Sequence, residues 1–212
     1  MSMSINGKLL HPVSHWINFL NDANAVQQLF RQIYGDDETL LHQRRQAYLK
    51  VVERAAQSWG LQRNMLISRA PARLNLMGRH IDHRGGAVNP VDLSVEVISA
   101  VAPRDDDVVT AHNLDEQLYP PAQFTISESL PPRKLNSVEE WDKWTMQEWL
   151  KRRAQGLERH WINYIRAAVV AFQERYRSTD GALNPQLCGM DFIVYGDVPP
   201  SAGLASSSSV FM

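Results

Sequence analysis

Residues 190–212 read MDFIVYGDVPPSAGLASSSSVFM, and the fold turns on how this stretch is taken. Met190 to Tyr195 has the apolar, partly β-branched composition of a short strand. Gly196 and Asp197 follow as a turn, Pro199 and Pro200 stop the strand, and Ala202-Gly203-Leu204 leads into Ser206 to Ser209. Taken alone, the serine run is low in complexity and fits a flexible tail. Taken in order, strand, tight loop and helix start describe a phosphate cradle. A helix N-terminus presents unpaired N–H groups and the positive end of the peptide dipole. Small residues admit a polyphosphate close to the backbone, and a serine hydroxyl adds a hydrogen bond or a metal ligand. Neither G-x-x-x-x-G-K-S/T nor G-x-G-x-x-G occurs, so the stretch is neither a P-loop nor a Rossmann turn.

Moving outward, "HWINYIRAAVVAFQERY" upstream of the strand predicts a strong helix with Trp161, Ile165, Ala168, Val169 and Phe172 on its inner face. Ser137 followed by Glu140 has capping-box spacing and opens a charged helix. Its tryptophans Trp141, Trp144 and Trp149 predict a packing stripe against the sheet or the N-terminal helices. Earlier, "AVNPVDLSVEVISAVAPRDDDVVTAHN" predicts sheet, with Val95, Val97, Ser99 and Val101 on one face and Glu96, Ile98 and Ala100 on the other, both partly buried. Asp105 to Asp107 is read as a solvated hairpin tip. From His15 to Gly60 the spacing predicts a pair of amphipathic helices. Trp16, Phe19, Leu20, Val26, Leu29, Phe30 and Ile33 form one stripe, and Leu41, Tyr48, Val51, Val52 and Ala55 a second. Gly60 is placed as the helix stop.

With 22 Lys and Arg against 23 Asp and Glu, the formal net charge of −1 offers no basic surface for nucleic acid or membrane, and a small-molecule partner is expected. The lone Cys188 excludes an internal disulfide, fits a reducing compartment and reads as a small core residue. The chain lacks a stretch of signal-peptide or membrane-spanning length, so a cytoplasmic location is expected.

"GDVPPSAGLASSSS" resembles the P-x-x-x-G-L-x-S-S nucleotide loop of the GHMP small-molecule kinases. "RAPARLNLMGRHIDHRGGAVNPVDL", residues 69–93, resembles the galactokinase sugar signature of that superfamily, and "WINYIRAAV" resembles its W-x-N-Y helix. The three stand in the family's order. The resemblance implies an α+β fold, a ribosomal protein S5 domain 2-like N-terminal GHMP kinase domain over residues 65–212, incomplete at its C-terminus, with an N-terminal helical extension over 1–64. It implies ATP-dependent phosphorylation of a monosaccharide, with ATP and Mg2+ as cofactors. Position by position, Arg73 matches an arginine beside the transferring phosphoryl group, where a fixed guanidinium stabilises spreading charge. His80 and Asp82 match sugar-contacting residues, and Gly85 and Gly86 the paired glycines of the turn. Ser201, Ala202, Gly203, Leu204, Ala205, Ser206 and Ser207 match the triphosphate loop, with Ser206 approaching Mg2+, an ion that ATP itself mostly holds.

Two departures stand out. Ala72 replaces a glycine, and Arg79 replaces a glutamate that contacts the hydroxymethyl of the sugar. Arg79 either pairs with a carboxylate, which points to a uronic acid, or faces solvent. His80, Asp82 and His83 are also metal-ligand types, but three residues so close rarely converge on one ion without a fourth. The family's catalytic aspartate falls downstream of the serine loop, so the 212 residues are expected not to transfer phosphate alone. A non-catalytic sugar- or nucleotide-binding sensor is the alternative.

Overall fold

Asp22 breaks the N-terminal helical stretch and starts it again. In the computed structural model, which describes residues 10–78, 81, 84–199 and 210, its carboxylate accepts hydrogen bonds from the amides of Asn24 and Ala25 at 3.0 and 3.1 Å. That cap divides α1 (Val13–Asn21) from α2 (Ala23–Tyr34), and Asp37 caps α3 (Glu38–Trp59) in the same way. The expected pair of helices is therefore three. Gly60 ends α3 with φ of 81°, as expected of a helix stop. Trp16, Leu20, Val26 and Phe30 are buried, as are Leu41, Tyr48, Val51, Val52 and Ala55.

The sheet has six strands in the order β1-β2-β3-β6-β4-β5. They are β1 (His11–Pro12), β2 (Asn64–Met77), β3 (Asn89–Pro103), β4 (Val108–Asn113), β5 (Ala122–Thr125) and β6 (Met190–Gly196). β6 pairs antiparallel with β3 and parallel with β4, so the sheet is mixed. Alternation sends Ile98, Ala100 and Ile193 into one core with α1 to α3, and Val97 and Val194 into another with Trp161, Ile162 and Ile165. Helices thus cover both faces. Both faces of β3 are buried, as its sequence predicts.

Because β6 lies between β3 and β4, Asp105 to Asp107 is a connection between strands that do not pair, not a hairpin tip. Its carboxylates are engaged: Asp106 accepts from Arg104 Nε and Nη2 at 2.7 and 2.6 Å, which lowers its pKa to about 2. Asp107 accepts from the amide of Ser127 at 3.1 Å. Asp191, almost fully buried on β6, accepts from Arg104 Nη1 at 2.8 Å and Thr110 Oγ1 at 2.7 Å, which locks the central strand to its surroundings.

Two helices complete the described chain, α4 (Val138–Ala154) and α5 (Ile162–Tyr176). Ser137 Oγ accepts from the Glu140 amide at 3.2 Å, while Glu140 turns to Arg133 and the Asn136 amide, so half of the capping box forms. No residue of α4 is buried, which corrects the expected tryptophan stripe. Trp141 and Trp144 pack on each other at 5.3 Å and, with Trp149, border a hollow shared with α5. Phe172, expected inside, is 57% exposed and borders an apolar groove of about 360 Å3 with Met190, Val210 and the half-buried Cys188. Among the described residues no helix is long and apolar enough to cross a membrane.

Candidate functional site

β2 and β3 outrun the rest of the sheet. Gly196, the last residue of β6, pairs with Val97, whereas β2 and β3 stay paired from Arg73 opposite Asp92 to Met77 opposite Asn89. A register shift between Pro71 and Arg73 leaves Ala72 fully buried and Arg73 exposed on the projecting ribbon. Past the ribbon, Gly78 adopts φ of +80°, and a Cβ there would lie 2.5 Å from the carbonyl oxygen of Ala87. Only glycine fits both the angle and that approach. The turn closes through Ile81 N to Gly78 O at 3.2 Å and Gly86 N to Ile81 O at 2.9 Å, with Gly85 also at positive φ. Arg79, His80 and Asp82 lie outside the described residues.

The other half of the site begins where the chain leaves β6. The Asp197 amide donates to Glu96 O at 3.2 Å, and the Glu96 amide donates to Asp197 Oδ1 at 2.8 Å, a reciprocal clasp at the strand end. Arg44 of α3 donates to Asp197 Oδ2. Glu96 has no exposed surface, and its carboxylate accepts from Arg69 Nε at 2.6 Å and Tyr34 OH at 2.5 Å, with Arg44 Nη1 at 3.9 Å. Tyr34 and Tyr48 hydroxyls lie 3.0 Å apart, and the Arg69 guanidinium sits 5.2 Å from the Tyr34 ring centroid. Burial, then the charges of Tyr48 and Glu96, push the Tyr34 phenol far above its usual pKa. Burial is the largest single influence on Arg44 and opposes its charge, but the bond to Asp197 together with the charges of Asp197, Glu96 and Tyr34 outweighs it and the guanidinium is held charged. A buried carboxylate ringed by two arginines and a phenol is a compensated charge. Ser201, Ala202, Gly203, Leu204, Ala205, Ser206 and Ser207 lie outside the described residues.

Both halves meet at one end of the sheet. Asp92, the partner of Arg73, stands four residues from Glu96 along β3, about 13 Å at strand rise. The W-x-N-Y stretch is an anchor for α5. Trp161 Nε1 donates to Pro120 O at 2.8 Å, and Asn163 Nδ2 donates to Leu157 O at 2.7 Å.

Residues 57–103 match the galactokinase galactose-binding signature, and residues 163–212 match the GHMP kinases N terminal domain. The chain thus carries two stretches that match GHMP kinase family models, and it is similar to galactokinases. Galactokinases of Clostridium perfringens strain 13 and strain SM101 are each 27% identical to it over 143 residues, covering 68% of this chain and 29% of the relative. The chain thus spans about 29% of the length of these curated relatives. The crystal structure of Lactococcus lactis galactokinase complexed with galactose shares the fold, with a TM-score of 0.52 at 21% identity over 75% of this chain and 33% of that one.

The network of Tyr34, Arg44, Arg69, Glu96 and Asp197 carries no motif and was not legible in the sequence. The available signal was Glu96, the single charged residue in the apolar run Val95 to Val101. Its partners come from helices, from strand β2 and from the turn after β6, all remote in sequence. Among the described residues no group of three His, Cys, Asp or Glu could hold a metal ion.

Proposed function

We propose that this chain supplies the sugar-binding signature and nucleotide loop of an ATP-dependent sugar kinase, with residues 65–212 as its GHMP N-terminal domain and 1–64 as a helical extension. The observation that supports this most is the convergence of Arg73 and the Gly196–Asp197 exit on one end of the sheet, each from a different matched motif. Arg73 places a permanent cation on a ribbon fixed by strand pairing, suited to stabilise charge on a phosphoryl group. Asp82 accepts hydrogen bonds from adjacent sugar hydroxyls and His80 borders the same sugar. Ser201 to Ser207 wrap the triphosphate. Bound MgATP supplies the phosphoryl group, with the ion held mostly by its phosphates and approached by Ser206. Arg79 pairs with a carboxylate, which makes a uronic acid the acceptor. The 212 residues bind these ligands without turning them over, since none of the roles assigned above supplies a base for the sugar hydroxyl.

Calorimetry of the chain with MgATP and with galactose, galacturonate and glucuronate tests this reading. Expected are MgATP binding abolished by Ser206→Ala, uronate binding weakened by Arg79→Ala, and no sugar phosphate formed. Absence of both nucleotide and sugar binding overturns the reading. A clear preference for galactose overturns the uronate assignment alone, and ATP-dependent turnover overturns the inactivity.

A further inference from the structure

α4, α5 and the edge strand β5 border a polar hollow of about 560 Å3, lined by Lys151, Arg152, Arg166, Gln123, Gln155 and Thr125, among others. Arg166 is fixed in place, with Nε donating to Ser129 Oγ at 3.1 Å and Nη2 to Glu148 Oε2 at 3.0 Å. The same Glu148 lies 3.6 Å from Lys151 Nζ, so its one charge is shared between two cations. Arg152 has no such partner: its Nε is buried without a hydrogen bond, and no carboxylate lies within ion-pair distance among the described residues. Burial and the neighbouring Arg166 both weigh against its charge, and Glu148 restores only part of it. Glu128 is the other acid on the wall.

An arginine Nε shut off from water without an acceptor is costly, and fork-shaped donors match oxyanions bidentately. We propose that this hollow binds a small phosphate-bearing anion, held by Arg152, Arg166 and Lys151. The site exceeds a bare phosphate in volume and has amide and hydroxyl groups on its walls, so it admits a phosphate monoester of a small polar molecule. The assignment does not rest on the kinase reading: none of these residues belongs to the sugar signature or the serine loop, and Arg166, on the W-x-N-Y helix, enters only through its geometry.

The test is residue-resolved NMR of the full chain titrated with inorganic phosphate against a chloride control at equal ionic strength, with glycerol phosphate in a second arm. Expected are saturable shifts at Gln123, Thr125, Arg152 and Gln155 that are distinct from any at residues 201–209. Arg152→Gln is expected to weaken that response roughly tenfold, the effect of losing a charge-assisted hydrogen bond. Without phosphate, Arg152→Gln is expected to melt no lower than the parent, since it removes an uncompensated charge, and phosphate then raises only the parent's Tm. Tighter binding of glycerol phosphate assigns the site to phosphorylated metabolites, and equal binding assigns it to free phosphate. Shifts confined to residues 201–209, or an unchanged response in Arg152→Gln, overturn the proposal.

Discussion

Arg44 and Asp197, separated by 153 positions in sequence, form an ion pair that ties α3 to the turn through which the chain leaves β6. Both side chains are largely shielded, with 8% and 22% exposure. Removing one partner strands the other charge, so Arg44→Met and Asp197→Asn are each expected to destabilise the fold by about 3 kcal/mol. Urea unfolding of both variants and the double variant gives the coupling, expected above about 1 kcal/mol. Additive effects would mean the pair contributes no specific link.

Glu96 is expected to tolerate no neutral replacement. Glu96→Gln keeps the shape but leaves Arg69 and Arg44 near a neutral amide that cannot balance them. A loss of about 2–4 kcal/mol is expected, readable as a lower urea midpoint with unchanged slope. A midpoint within error of the parent would show that the arginines re-partner.

Gly78→Ala places a methyl 2.5 Å from the Ala87 carbonyl oxygen at a φ of +80°. The strain is expected to cost about 1–3 kcal/mol, with Tm falling by roughly 2–4 °C for each kcal/mol. Thermal melts followed by circular dichroism measure it directly.

His15 carries a pH dependence. Burial, reinforced by His11 stacked on it at 4.2 Å, lowers its pKa below the ordinary 6.5. The unfolded chain then binds the proton more readily than the folded one. Stability is expected to fall as pH drops through 6.5 toward the folded-state value, and His15→Gln should flatten that slope. Urea midpoints across pH 5 to 8, roughly the range where histidine titrates, decide it.

What the sequence showed well was local. Three-and-four spacing located the stripes of α1 to α3, and alternation assigned both faces of β3, because each depends on the period of a single element. The break at Asp22 was harder to read, since a capping carboxylate competes with an otherwise unbroken helical pattern. Asp105 to Asp107 was misread for a different reason. A short turn between two strands looks like a hairpin unless one knows that a later strand enters between them. Phe172 has the spacing of an inner residue, but among the described residues it stands 57% exposed on the rim of the apolar groove. At the site, Arg73 was located by motif, while the Glu96 network escaped because its members come from five separate stretches of chain.

The position of β6 bears on how the protein is made. β3 and β4 share no hydrogen bonds, and the hairpin of β4 and β5 joins the rest of the sheet only through β6, whose residues begin at Met190. During synthesis the central seam stays open until Met190–Gly196 has been made. The helices and the β2–β3 ribbon can form early, but the sheet closes late and over long sequence separations. That topology predicts slow final assembly and an interval in which two strand edges stand unpaired and open to wrong partners.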